Sequence, residues 1–167
     1  MQALEKIEGE NSLSRVKARE GVINLQEAIE SGIESGDFEK DQSTLKHYFA
    51  PVVDEYGCGT YAREIHLPKG SLVVGKIHRH SHPNFLMEGE VSVITESGGV
   101  ERLKAPLSMI SPAGTQRIVY THTDCRWVTV HVTDKKDLTE IEKEVILEDY
   151  SSLLEEDTKE ALCHGHS

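Results

Sequence analysis

The sequence predicts an all-β core, an antiparallel sandwich or barrel, carrying a helical segment at each end. From His47 to Thr133 the chain consists of strand-length runs rich in β-branched and aromatic residues: "TYAREIHL", "SLVVGKIH", "NFLMEGEVSVITE", "VERLKA", "LSMISPA", "QRIVYTH" and "RWVTVHVT". Turn clusters such as "PKG", "ESGG" and "SPAG" divide them. No helical periodicity intervenes, so about seven or eight strands pair antiparallel without crossover helices.

The organisation expected along the chain is an N-terminal extension over 1–45, a barrel over 46–133, and a C-terminal helix with an acidic tail over 134–167. In "NLQEAIESGIESG", Leu25, Ile29 and Ile33 recur at helical spacing, Asn24 and Glu27 stand as a capping box, and Gly32 and Gly36 stand as stop signals. One short amphipathic helix follows from this, and residues 1 to 20 read equally as a second helix or as disorder. After the strands, Asp137 and Glu140 repeat the capping-box spacing while Leu138, Ile141 and Val145 line one face.

Composition narrows the function. At 167 residues the chain has the length of one domain. Its 18 Lys and Arg against 29 Asp and Glu, a formal charge of -11, oppose a phosphate backbone, so no nucleic-acid partner is expected. No run of about 18 apolar residues and no signal-peptide pattern is present, which predicts a cytoplasmic protein without a membrane partner. Cys58, Cys125 and Cys163 are odd in number and distantly spaced, as reduced thiols are. No phosphate loop, GxSxG elbow or zinc-finger spacing occurs.

The chemistry concentrates in "GKIHRHSHPNFLMEG", Gly75 to Gly89. Alternation on a strand projects Lys76, His78, His80 and His82 to one side. Imidazoles converging inside a barrel suit Zn, Fe, Mn, Ni or Cu, and the competing reading is a wet strand end rich in histidine. In "RWVTVHVT", Trp127, Thr129 and His131 share one face and Val128, Val130 and Val132 the other. The valine face reads as core, and periodicity leaves open which face lines the lumen. His122 in "THTDC" reads as a loop residue that could complete a metal shell. His47 and His66 read as rim residues, and His164 and His166 as adventitious ligands at most.

This stretch resembles motif 1 of the cupin superfamily, in which a glycine precedes an HxH pair, a glutamate and a second glycine. Counted back from Gly89, the glutamate position holds His82, the second histidine falls on His78 and the first on Lys76. A second register keeps His78 and His80 as the HxH pair and loses the glutamate spacing. "SPAGTQRIVYT" resembles cupin motif 2 in Pro112 and Gly114, but Arg117 stands at the histidine position and Thr121 at the asparagine position. The resemblance implies a double-stranded β-helix, a jelly-roll barrel, with the metal ligands drawn from His78, His80, His82, His122 and His131. Arg117 cannot ligate a cation and would instead face an anion. Residues 46–147 also resemble uncharacterised small cupin-like proteins of tailed bacteriophages, through phrases such as "YAREI", "GKIH", "EGEV" and "KAP". That resemblance supports fold and a phage origin, hence a host cytoplasm, and implies no reaction. It points to His78, His82 and Asn84 as inward-facing.

Three functions follow as expectations: binding of a divalent metal (Zn, Fe, Mn or Ni) and a small polar ligand in the lumen; a non-catalytic virion, assembly or host-directed binding protein; or a scavenger of small anions such as nucleotides, using Lys76, Arg79 and Arg117. The helical ends predict a homo-oligomer, a dimer first. Whether the protein is an enzyme stays open at this level.

Overall fold

The computed structural model describes residues 2–40, 42–55, 57–94, 99–148 and 150. In chain order the elements are α1 (Gln2–Ser35), β1 (Thr44–Val53), β2 (Cys58–Leu67), β3 (Leu72–Val74), β4 (Ile77–His78), β5 (His82–Glu88), β6 (Glu90–Ile94), β7 (Val100–Lys104), β8 (Leu107–Ser111), β9 (Ile118–Thr121), β10 (Cys125–Thr133), α2 (Leu138–Val145) and β11 (Ile146–Leu147). One sheet has the order β1-β2-β10-β5-β8, a second β3-β9-β6-β7, and β11 pairs with β4. Every pairing is antiparallel.

Leaving aside β1, which adds to one edge, each larger sheet holds four strands, and successive strands alternate between the sheets except at the β6–β7 hairpin. That is the double Greek-key order of a jelly roll, the architecture of cupins. The core lies between the sheets: Leu67, Leu86, Cys125 and Trp127 come from one, and Val91, Val93 and Leu103 from the other. This half of the interior is apolar. The other half carries the histidines.

Two glycines explain where the chain changes sheets. Gly89 has φ +91°, and a Cβ there would run into the Asp124 carbonyl and the Cys125 side chain, so the run expected as one strand, "NFLMEGEVSVITE", breaks into β5 and β6. Gly114, at φ +75°, closes the turn after β8, and its N–H donates to the His78 carbonyl at 2.7 Å. "SLVVGKIH" likewise divides at Gly75 into β3 and β4.

The N-terminal helix is continuous from Gln2 to Ser35, longer than the short helix expected from Leu25, Ile29 and Ile33, and Asn24 and Glu27 lie inside it rather than at a cap. The upstream residues are mostly strong helix formers, which overrides the local capping signal. Gly36 ends the helix at φ +82°, whereas Gly32 is a docking notch: the Phe38 ring occupies the space a Cβ would need, and the Phe38 N–H donates to the Gly32 carbonyl at 2.9 Å. Val22 is buried, and the Arg19 guanidinium stacks on the Tyr150 ring at 4.7 Å. Among the described residues no helix is long and apolar enough to cross a membrane.

The C-terminal helix forms as its capping pattern predicts, with the Asp137 carboxylate accepting from the Thr139 and Glu140 N–H groups at 3.0 and 3.1 Å. Its Ile141 and Val145 pack on Tyr61 of β2. The strand that follows it pairs Ile146 with His78 and Leu147 with Ile77. The segment therefore closes the histidine end of the barrel.

Candidate metal centre

Strand register builds the site in layers on the inner face of the five-stranded sheet. The apolar floor is Ile65, Trp127, Leu86 and Leu107, paired in that order across β2, β10, β5 and β8. Two residues toward the end covered by α2 and β11, the same four strands present Arg63, Thr129, Asn84 and Met109. Two further on come Tyr61 paired with His131, and His82 paired with Ser111. Period-two alternation makes these three layers share one face.

His78 joins them from β4. Its ring centroid lies 4.2 Å from that of His82 and 5.1 Å from that of His131, and the His82 and His131 rings are 4.6 Å apart. One donor atom from each of the three lies within 4.8 Å of the others. That is the scale of a single coordination shell, in which two nitrogens bound at about 2.1 Å sit about 3.4 Å apart. His82 and His131 are buried and His78 partly so.

Protonation favours ligation. Burial, followed by His82, His131, Arg63 and Arg117, pushes the His78 pKa down to about 3. Burial, then His82, Arg63 and His80, pushes that of His131 down to about 4. His82 is also lowered, mainly by burial. All three are neutral at physiological pH and offer lone pairs. The His82 Nδ1 is 3.0 Å from the His80 carbonyl, which can only accept, so Nδ1 carries the hydrogen and Nε2 keeps its lone pair. That Nε2 and the Nδ1 of His78 are buried without a hydrogen-bond partner, as expected of atoms that await a ligand.

Asn84 supports the site from below. Its amide N–H donates to Ser111 Oγ at 2.6 Å and to the His82 carbonyl at 3.3 Å, and its oxygen accepts from Trp127 Nε1 at 3.0 Å. Arg117, just before β9, reaches across the lumen so that its guanidinium donates to Ser111 Oγ and lies 3.9 Å from the Met109 sulfur.

The structure brings together His78, His82 and His131, with Asn84 and Arg117 beside them. It separates the rest of the expected set. The chain bends at 79–81 between β4 and β5, so His80 does not continue the alternation and is exposed. Lys76 is exposed and pairs with Glu142 at 3.6 Å. His122 follows β9 and lies 2.7 Å from Ser92 Oγ on the neighbouring β6, away from the histidine sheet. His164, His166 and Cys163 lie outside the described residues. The reading of the valine face of β10 as core is corrected: Trp127 and His131 are buried, while Val132 is 66% exposed. Inside a barrel with a polar end, the inward face need not be the more hydrophobic one, and valine suits the outer pleated surface for its strand propensity.

Arg63 is the residue that sequence reasoning missed. In "TYAREIHL" it falls in phase with Tyr61, Ile65 and Leu67, and a charged residue in register with the apolar face is the signal that would have found it.

No protein-family model matches the sequence, and no curated protein sequence matches it. Among solved structures, the chain is similar to an ectoine synthase from P. lautus (12% identity, TM-score 0.47, covering 66% of this chain and 80% of that one). It is also similar to a cupin superfamily protein from Desulfitobacterium hafniense (9% identity, TM-score 0.43, 58% and 84% covered). A third is a predicted oxalate decarboxylase from Thermotoga maritima (15% identity, TM-score 0.43, 55% and 79% covered). Of these three, the Desulfitobacterium hafniense protein is described as a member of the cupin superfamily, and the likeness is one of fold.

Proposed function

We propose that the protein binds one divalent metal ion in the barrel interior through His78, His82 and His131. The observation that carries this reading is the convergence of three neutral imidazoles within 4.8 Å, two of them with a buried ring nitrogen that has no partner. Three histidines with no thiolate suit Zn, Fe, Mn or Ni, and a three-ligand set leaves positions open for a small molecule. A bound ion would supply Lewis-acid polarisation at such a position. The chain's own contribution is orientation: β11 and the Gly114 N–H hold His78, the His80 carbonyl sets the tautomer of His82, and Tyr61 stacks on His131 with centroids 6.3 Å apart.

The test is metal titration of untagged protein by calorimetry with Zn, Fe, Mn and Ni, and with Co as a spectroscopic probe, with metal content measured after dialysis. The expected result is one ion per chain, with affinity reduced at least about tenfold in His82→Ala and His131→Ala, the range set by loss of a ligand or its supports. Near-zero stoichiometry in the folded wild-type chain for Zn, Fe, Mn and Ni alike overturns the reading.

A further inference from the structure

The same enclosed layer holds two guanidinium groups that the metal reading does not use. Arg63 lies across from Thr129, which lies across from Asn84, so it enters the layer immediately below the histidines. Arg117 enters from the opposite sheet and reaches Ser111 and Met109. Both stand close enough to His78 to disfavour its protonation.

Among the described residues neither has an acidic partner. Among the described residues, Arg102 pairs with Glu90, and Arg126 with Glu88 and Glu64, but no ion pair involves Arg63 or Arg117. Glu101 influences Arg117 only from beyond ion-pair distance. The Arg63 Nε is buried and without a hydrogen-bond partner, as is the Thr129 hydroxyl across from it. One contact of Arg117 is to a thioether, a weak acceptor that a carboxylate oxygen would displace. Buried polar atoms in native proteins are overwhelmingly satisfied. Four orphaned atoms, those of Arg63, His78, His82 and Thr129, come from the residues that build this one region.

Charge sharpens the point. The layer contains guanidinium cations and neutral imidazoles, and among the described residues no carboxylate pairs with either arginine. A divalent cation would add to an already positive, desolvated enclosure, which is costly unless an anion enters with it. The apolar cluster of Tyr61, Ile141 and Val145 borders the same end.

We propose that Arg63 and Arg117 form an anion subsite beside the histidine triad, and that its ligand is a small organic carboxylate whose oxygens are shared between the guanidinium groups and the metal. The planar guanidinium fork matches a carboxylate in two parallel hydrogen bonds. The Thr129 hydroxyl supplies a further donor, and the apolar cluster accommodates a short carbon body. The metal half of this proposal rests on the function proposed above; the guanidinium half does not. Because both ligands occupy one enclosure with opposite charge, each tightens the other reciprocally.

The probe is propionate, with propionamide as the neutral comparator and sulfate as the tetrahedral one. Propionate is titrated into apo protein by calorimetry and into Co-loaded protein by the visible cobalt spectrum. The expected results are saturable binding to the apo form, tightening about tenfold in the Co-loaded form, with propionamide silent. Arg63→Met and Arg117→Met weaken propionate at least about tenfold while the metal stoichiometry stays at one, because neither is an imidazole ligand. Arg117→Lys, checked by circular dichroism as folded, retains part of the affinity and shows that charge rather than collapse is at work. Propionate binding unchanged in both folded Met variants overturns the subsite, as does no binding to Co-loaded protein. Sulfate binding without propionate binding overturns the carboxylate assignment. Failure of metal uptake with propionate binding intact in the apo form removes only the metal half.

Discussion

A buried imidazole is held neutral by what surrounds it, and in this barrel three of them crowd together with two guanidinium groups. Moving a proton onto His78 or His131 places a charge in a desolvated layer already carrying positive charge, so their pKa values fall from 6.5 to about 3 and about 4. The unfolded chain binds these protons near pH 6.5 while the folded chain does not. By linkage, stability is then full above about pH 6.5 and declines as pH falls from there toward about 4. Urea unfolding of metal-free protein from pH 8 to pH 4.5 checks this: the midpoint falls on acidification, and His78→Gln and His131→Gln each make the decline shallower. A decline of equal steepness in both variants would assign it to other groups. Asn84 matters at the same scale, since a single buried amide satisfies Trp127, Ser111 and the His82 carbonyl together.

At the scale of elements, the C-terminal helix and strand are part of the site rather than an appendage. Ile141 is fully buried against Tyr61, whose ring stacks on His131, and β11 completes the backbone pairing of His78. Removing the cap with Asp137→Ala is expected to cost about 1 kcal/mol, because two helix N–H groups lose their acceptor. Ile141→Ala is expected to cost about 2–5 kcal/mol through the cavity left in the lid. Thermal and urea unfolding measure both. Metal affinity should weaken in Ile141→Ala and not in Asp137→Ala, since only the former loosens the packing on Tyr61. The 34-residue α1 contributes differently, by docking Phe38 into the Gly32 notch and Arg19 onto Tyr150.

For the molecule as a whole, the interior is divided. One end between the sheets is an apolar core of Leu67, Leu86, Val91, Val93, Leu103, Cys125 and Trp127, and the other is polar with orphaned donors and acceptors. The apolar end supplies stability, and the polar end gives it up to keep a site open. A ligand that binds only the folded state returns part of that cost. Zn at about 100 times its dissociation constant should stabilise the fold by about 2.7 kcal/mol, which for a chain of this length raises the melting temperature by about 5–10 °C. Differential scanning calorimetry with and without Zn measures the shift, which should vanish in His82→Ala.

Much of this protein was legible from its residues. The alternation of short β-branched runs with Gly and Pro turns determined an antiparallel all-β core, because those patterns are local and each strand carries its own. Gly89 and Pro112-Ala-Gly114 marked turns that the fold uses, and the spacing from Gly89 placed His82 and Asn84 on the inner face. The tertiary structure alone decided the rest. Alternation shows which residues share a face and not which face is enclosed, so His131 joined the triad and the valines turned outward only once β10 lay between β2 and β5. It likewise carries no information about a bend, so His80 left the site where the chain turns at 79–81. Arg63, Arg117 and the lid formed by α2 meet the histidines through contacts between residues far apart in the chain. No local pattern specifies such contacts, because they exist only when two sheets close on each other.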